Sequence, residues 1–227
     1  MTNRSVQPVA AIVVAAGSGS RLGHELPKAL VDVGGVPMVR RSVDVLRSAG
    51  VGQIVVVAHP GHLDQFRAAL LGVTELTIVS GGAVRDESVR NGLDEVDAPV
   101  VLVHDAARPL VPVRVVESVM QAVASGAQAV IPVVPVIDSI RRVLDGGSAV
   151  VDRAELRAVQ TPQGFVTDVL RAGHRHIQEY GVAVTDDASV CELVGAPITF
   201  VEGDREAMKI TEPLDLALAE AMWRARS

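Results

Sequence analysis

A Rossmann-like α/β architecture, a mostly parallel sheet with helices on both faces, is predicted by three observations. A continuous apolar run of strand length at 9–15 is followed by similar runs at 54–58, 76–79, 100–103 and 129–134, as in strands buried on both sides. Segments with helical spacing lie between them, at 39–49, 62–71, 87–96 and 113–124. The alternation has lengths suited to right-handed βαβ crossovers. In such sheets ligands bind beyond the carboxyl ends of the strands, so the loops that begin at Ala16, Gly81 and His104 are expected to line one crevice.

Taken in order, the run at 9–15 holds only valine, alanine and isoleucine and gives way to a small-residue loop. The helix at 39–49 follows Pro37, and the next three runs each lead into one helical segment. The pattern changes between 137 and 157. There, 139–144 and 148–153 alternate around Asp145, Gly146 and Gly147, a β-hairpin signal. It interrupts the βα order, so it is expected to project as an arm used in dimerisation; Val143, Leu144, Val150 and Val151 would expose apolar surface that a partner subunit covers most simply. Helices at 166–180 and 187–194, a short strand at 198–201 and a helix at 213–226 complete the chain. The expected organisation is one domain over residues 1–227 with a β-arm insertion at about 137–157.

Composition narrows the functional classes. With 227 residues and 48% hydrophobic content the chain can bury a sizeable core. The longest apolar stretches, 9–16 and 129–137, are too short or too interrupted by proline to span a bilayer, and no basic segment followed by an apolar region opens the sequence, so a cytoplasmic protein is expected. The single cysteine, Cys191, excludes an intramolecular disulfide and a multi-cysteine metal site. A net charge of −6 argues against a broad electrostatic footprint on nucleic acid or on an anionic membrane. Any phosphate ligand must then be held by a few residues. The basic residues are nineteen arginines and two lysines, Lys28 and Lys209, which singles out two positions where a compact ammonium is kept in place of a planar fork.

The first strand runs into A-A-G-S-G-S-R-L-G at 15–23, followed by L-P-K at 26–28. Glycines such as Gly17 and Gly19 let backbone N–H groups approach a polyphosphate, and Arg21 and Lys28 add positive charge to that cradle. A tight strand-to-helix turn that binds nothing is the structural alternative. A dinucleotide-binding dehydrogenase fits less well: Gly17, Gly19 and Gly23 are one residue out of its fingerprint, and the second strand ends at His59 without the acidic residue that grips a ribose. No G-K-[S/T] follows, so a P-loop is excluded. The fourth strand ends in V-L-V-H-D-A-A-R-P at 101–109, where Asp105 is placed either to coordinate Mg²⁺ or to act as a turn or cap residue. His104 has a packed reading, and Arg108 could bind phosphate or pair with an acid.

Seven motifs appear in order: A-A-G-S-G-S-R with L-P-K, G-G-A-V-R-D-E-S-V, V-H-D-A-A-R-P, V-D-R, Q-T-P-Q-G-F, T-D-D-A-S and M-K-I-T. From about Val9 to Ala221 the chain resembles the 2-C-methyl-D-erythritol 4-phosphate cytidylyltransferases of the non-mevalonate isoprenoid pathway. The resemblance implies a homodimer whose arms reach the neighbour's active site, CTP and 2-C-methyl-D-erythritol 4-phosphate as substrates, and a Mg²⁺ requirement. It places Arg21, Lys28 and Lys209 around the triphosphate and the α-phosphorus, and the metal on Asp105. Ala15, Ala16, Gly17, Gly82 and Ser88 would hold the cytosine and ribose, beside the glycine loop with Gly19. Ser139 and Arg153 of the other subunit's arm would grip the acceptor phosphate, with Thr161, Thr185 and Arg108 completing that pocket. Two positions depart from the pattern, Ala83 where some members carry Asp and Ser139 where some carry Thr. Ribitol 5-phosphate or another polyol phosphate is the competing acceptor, and a catalytically silent nucleotide-binding protein the competing class.

Overall fold

The computed structural model describes residues 7–17, 19, 22, 26–182 and 184–226. In chain order the elements are β1 (Val9–Ala15), the two-residue strands β2 (Asp32–Val33) and β3 (Val36–Pro37), α1 (Met38–Ser48), β4 (Gln53–Ala58), α2 (Leu63–Ala69), β5 (Leu76–Ser80), α3 (Arg85–Leu93), β6 (Val100–Asp105), α4 (Val113–Ala124) and β7 (Ala129–Pro135). The hairpin β8 (Ile140–Leu144) and β9 (Gly147–Val151) follows, then β10 (Arg157–Val159), β11 (Gln163–Val166), α5 (Thr167–Tyr180), α6 (Asp187–Glu192), β12 (Ile198–Glu202) and α7 (Pro213–Arg226).

Eight strands form the central sheet, in the order β10, β7, β11, β6, β1, β4, β5, with β12 also paired to β7. β5, β4, β1 and β6 are parallel neighbours, and β12 runs parallel to β7. Among the described residues of this sheet, only β10 and β11 run antiparallel to their neighbours. Both faces of each central strand are buried, which explains the continuous apolar runs. Ala11, Val13, Ile54, Val56 and Leu102 pack with α1, α2 and α4 on one face, while Ala10, Ile12, Val55, Val57, Val101 and Val103 pack with α3, α5 and α6 on the other. Cys191 belongs to that second cluster, and burial pushes its thiol up to about 12, as suits an inert packing residue.

Two features differ from the sequence expectation. Residues 157–166 carry no long apolar run, yet they supply β10 and β11, and β11 is wedged between β6 and β7. A four-residue strand is too short to show a period; its place is set by partners distant in sequence, through pairs such as Gln163 with Val103 and Phe165 with Ala129. The hairpin turn is also tighter than expected, since Leu144 pairs with Gly147 and only Asp145 and Gly146 remain in the loop, with Gly146 at φ +82°. β8 and β9 form a separate two-stranded sheet. Val143 and Val150 lie on one face of it by register and are 85% and 70% exposed.

Candidate active site

The carboxyl ends of β1 and β6 and the loop after β5 enclose a cavity of about 250 Å³. Ala15, Ala16, Gly17, Lys28, Gly82, Ser88, Asp105 and Lys209 all line it, so residues from five separate stretches of sequence meet there. Arg21 lies outside the described residues.

Local structure explains how each group arrives. Lys28 opens a 3-10 turn, Lys28–Leu30, whose Ala29 and Leu30 are buried in the core. Gly19 sits against it with φ +67°; a Cβ there would stand 2.3 Å from Lys28 Cβ, so only glycine lets the first loop approach the lysine this closely. Across the cavity, the loop before α3 is tied by Ser88, whose hydroxyl accepts from the Gly82 N–H at 3.0 Å and donates to the Val84 carbonyl at 3.1 Å. Ala83 N–H donates to Glu87 Oε2 at 2.7 Å. The loop conformation is therefore fixed from within the first turn of α3, and Ala83 contributes through its backbone.

Lys209 is held from both sides. Ile210 N–H donates to the Ala107 carbonyl at 2.8 Å, and Arg108 Nη1 donates to the Ala207 carbonyl at 2.7 Å. Arg108 Nη2 reaches the Val159 carbonyl at 3.3 Å, so its fork is spent on backbone oxygens, and it is absent from the residues lining the cavity. A third apolar cluster joins Leu22 and Val31, on either side of Lys28, to Leu110 beyond Asp105 and to Ile210 beside Lys209. Burying those four together brings the two lysines and the aspartate into one place.

Asp105 ends β6 and is nearly buried. Its Oδ2 lies 2.7 Å from Lys209 Nζ and its Oδ1 3.6 Å from Arg85 Nη2. Burial alone would raise its pKa, but the Lys209 ammonium and the Arg85 guanidinium outweigh it and bring the carboxyl down to about 2. The backbone N–H of Asp105 donates to Thr161 Oγ1 at 3.0 Å, and the same hydroxyl lies 3.1 Å from His104 Nδ1. The Thr161 hydroxyl meets both the Asp105 backbone and the His104 ring, tying the end of β6 from below. Thr161 is thus buried beneath the cavity, fixing the end of β6. Burial lowers the His104 pKa to about 4, so the ring is neutral at pH 7.

Thr185 is exposed and lines a neighbouring cavity with Val184, Asp186 and Asp187; Val84 and Arg85 form a wall common to both cavities. Ser139 and Arg153 are exposed at the base of the arm, away from this chain's own cavity, where Arg153 donates to the Ile137 carbonyl. Arg85 was not singled out by the sequence, although it sits in G-G-A-V-R-D-E-S-V. Its partners, Asp105 and Asp187, are remote in sequence, and an arginine in a charged motif is ordinarily a surface residue; the glycine pair just before it was the available signal.

Comparison with known proteins identifies the family. The family model described as 2-C-methyl-D-erythritol 4-phosphate cytidylyltransferase matches residues 9–225. A protein of that name from Frankia casuarinae is 50% identical over 94% of this chain and 80% of its own length, and one from Nocardia farcinica is 46% identical over 96% and 95%. The crystal structure of the enzyme of that name from Thermus thermophilus superposes with a TM-score of 0.81 at 35% identity, covering 97% of this chain and all of the other. The cavity at the strand ends, its paired lysines and a match across nearly the whole sequence lead to one conclusion: the chain belongs to the 2-C-methyl-D-erythritol 4-phosphate cytidylyltransferase family, nucleotidyltransferases that move CMP from CTP to that polyol phosphate.

Proposed function

We propose that the cavity at the ends of β1 and β6 binds CTP and that the family reaction takes place there, with 2-C-methyl-D-erythritol 4-phosphate as acceptor. A phosphate oxygen of the acceptor attacks the α-phosphorus of CTP in line. The new P–O bond forms as the bond to the β-phosphate breaks, and the electron pair leaves with pyrophosphate. The acceptor is already anionic at neutral pH, so no strong general base is needed; the obstacle is to bring two anions together while charge grows on the leaving group. The observation that carries this reading is the convergence of Lys28, Asp105 and Lys209 on one cavity. Lys28 and Lys209 hold the phosphates and the α-phosphorus, joined by Arg21, while the backbone of Ala15 to Gly17 and Gly82 with Ser88 receives the nucleoside.

Mg²⁺ fits the donor set. Asp105 offers a hard carboxylate oxygen, Oδ1, that Arg85 approaches no closer than 3.6 Å. No group of three metal-ligating side chains occurs among the described residues, which suits an ion held by one carboxylate and substrate phosphates. When bound, the ion supplies charge neutralisation on the triphosphate. The protein works as a homodimer of single nucleotidyltransferase domains, and the arm of each subunit brings Arg153 and Ser139 to the partner's acceptor pocket, with Thr185 on its rim, and with Thr161 and Arg108 fixing its floor. No described helix is long and apolar enough to cross a membrane, and a cytoplasmic enzyme accords with small anionic substrates.

Pyrophosphate release from CTP tests the assignment, measured with Mg²⁺ and either 2-C-methyl-D-erythritol 4-phosphate or ribitol 5-phosphate. Release with the first acceptor and little with the second is expected. Equal or greater turnover of ribitol 5-phosphate would overturn the acceptor assignment.

A further inference from the structure

Behind the cavity wall, one nitrogen of Arg85 stands between two carboxylates. Nη2 lies 2.6 Å from Asp187 Oδ2, a charge-assisted hydrogen bond, and 3.6 Å from Asp105 Oδ1, beyond hydrogen-bond reach. Asp187 is the first residue of α6 and is 1% exposed; its Oδ1 has no hydrogen-bond partner among the described residues. The neighbouring acid, Asp186, does not compete for the guanidinium. Its Oδ1 accepts from the Ser189 N–H and hydroxyl, and its Oδ2 from Gln163 Nε2.

The consequence is a division of labour around Asp105. Lys209 occupies Oδ2 at 2.7 Å, and Arg85 would occupy Oδ1 if it moved by less than about 1 Å. Two cations on two oxygens would satisfy the carboxylate and leave a divalent ion to displace one of them. Burial lowers the Arg85 pKa, but the pair with Asp187, followed by Asp105, raises it above the ordinary arginine value, so the guanidinium is charged and will follow whichever acid holds it.

We propose that Asp187 is a positioning residue for metal-assisted nucleotide binding: by holding Arg85 Nη2 at 2.6 Å, it keeps the guanidinium off Asp105 Oδ1 and leaves that oxygen open to a divalent cation. The proposal rests on the assignment of Asp105 as the cation's ligand. Asp187 is absent from the residues that line the nucleotide cavity and acts through Arg85. Losing its charge frees Arg85 to close on Asp105, and losing Arg85 as well removes the competitor. A purely structural role predicts no such rescue.

The test is a calorimetric titration of CTP into the protein without acceptor, in Mg²⁺ and in chelator, reading the gain in CTP affinity that Mg²⁺ provides. The wild-type gain is expected to shrink about tenfold in Asp187→Asn and to return to within about twofold in Asp187→Asn combined with Arg85→Gln. The double variant leaves two neutral amide side chains in the buried pair, so it does not strand a lone carboxylate. A wild-type gain in Asp187→Asn, or a double variant as poor as the single one, would overturn the proposal. Asp105→Asn separates the two layers: a full Mg²⁺ gain in that variant would remove the cation assignment beneath it.

Discussion

His104 and Asp105 are adjacent in β6, yet burial treats them oppositely. The imidazole has no countercharge strong enough to offset desolvation and stays neutral, whereas the carboxylate meets Lys209 and Arg85 and stays ionised. Both have folded-state pKa values below their unfolded ones, so both contribute stability that is present at higher pH and lost on acidification. For His104 the window runs from about 6.5 down to about 4, because the unfolded chain takes up a proton there that the folded chain refuses. For Asp105 it runs from about 3.8 to about 2. The His104 contribution is on the order of 3 kcal/mol across its window. His174, buried and also lowered, acts in the same direction. In urea unfolding followed from pH 7 to pH 4, His104→Gln is expected to flatten the loss of stability without abolishing it. A slope equal to that of the wild type would contradict the buried neutral imidazole.

Among elements, the hairpin β8–β9 is the one whose conformation this chain leaves unexplained by itself. Its register puts Val143 and Val150 on a common exposed face, and it forms a two-stranded sheet separate from the central one. If the arm serves the partner's site, mixing Arg153→Ala subunits with Lys28→Ala subunits creates a dimer with one site that has both residues intact. Mixed dimers, confirmed by mass, are then expected to recover activity that neither parent shows; no recovery would contradict action in trans. The parallel strands and their helices were legible in the sequence because two buried faces produce continuous apolar runs. The strands β10 and β11 were not, since three or four residues carry no period and their pairing is decided by β6 and β7. The site shows the same division. Lys28, Lys209 and Asp105 stood out through rarity and strand-end position, while the placing of Arg85 depends on Asp187, 102 residues away.

Across the whole molecule, apolar packing sets the electrostatics of the cavity. Leu22, Val31, Leu110 and Ile210 share one cluster, and the charged groups they flank converge on the cavity as a result. A net charge of −6 is compatible with an anionic substrate if the attraction is local, and the two ammonium groups that line the cavity would supply it. Steady-state pyrophosphate release by Lys28→Ala and Lys209→Ala, with CTP and 2-C-methyl-D-erythritol 4-phosphate, tests this most directly. Each variant is expected to lose about a hundredfold in kcat, near 3 kcal/mol of transition-state stabilisation, with a much smaller change in KM for CTP. A wild-type kcat in either variant would contradict the account.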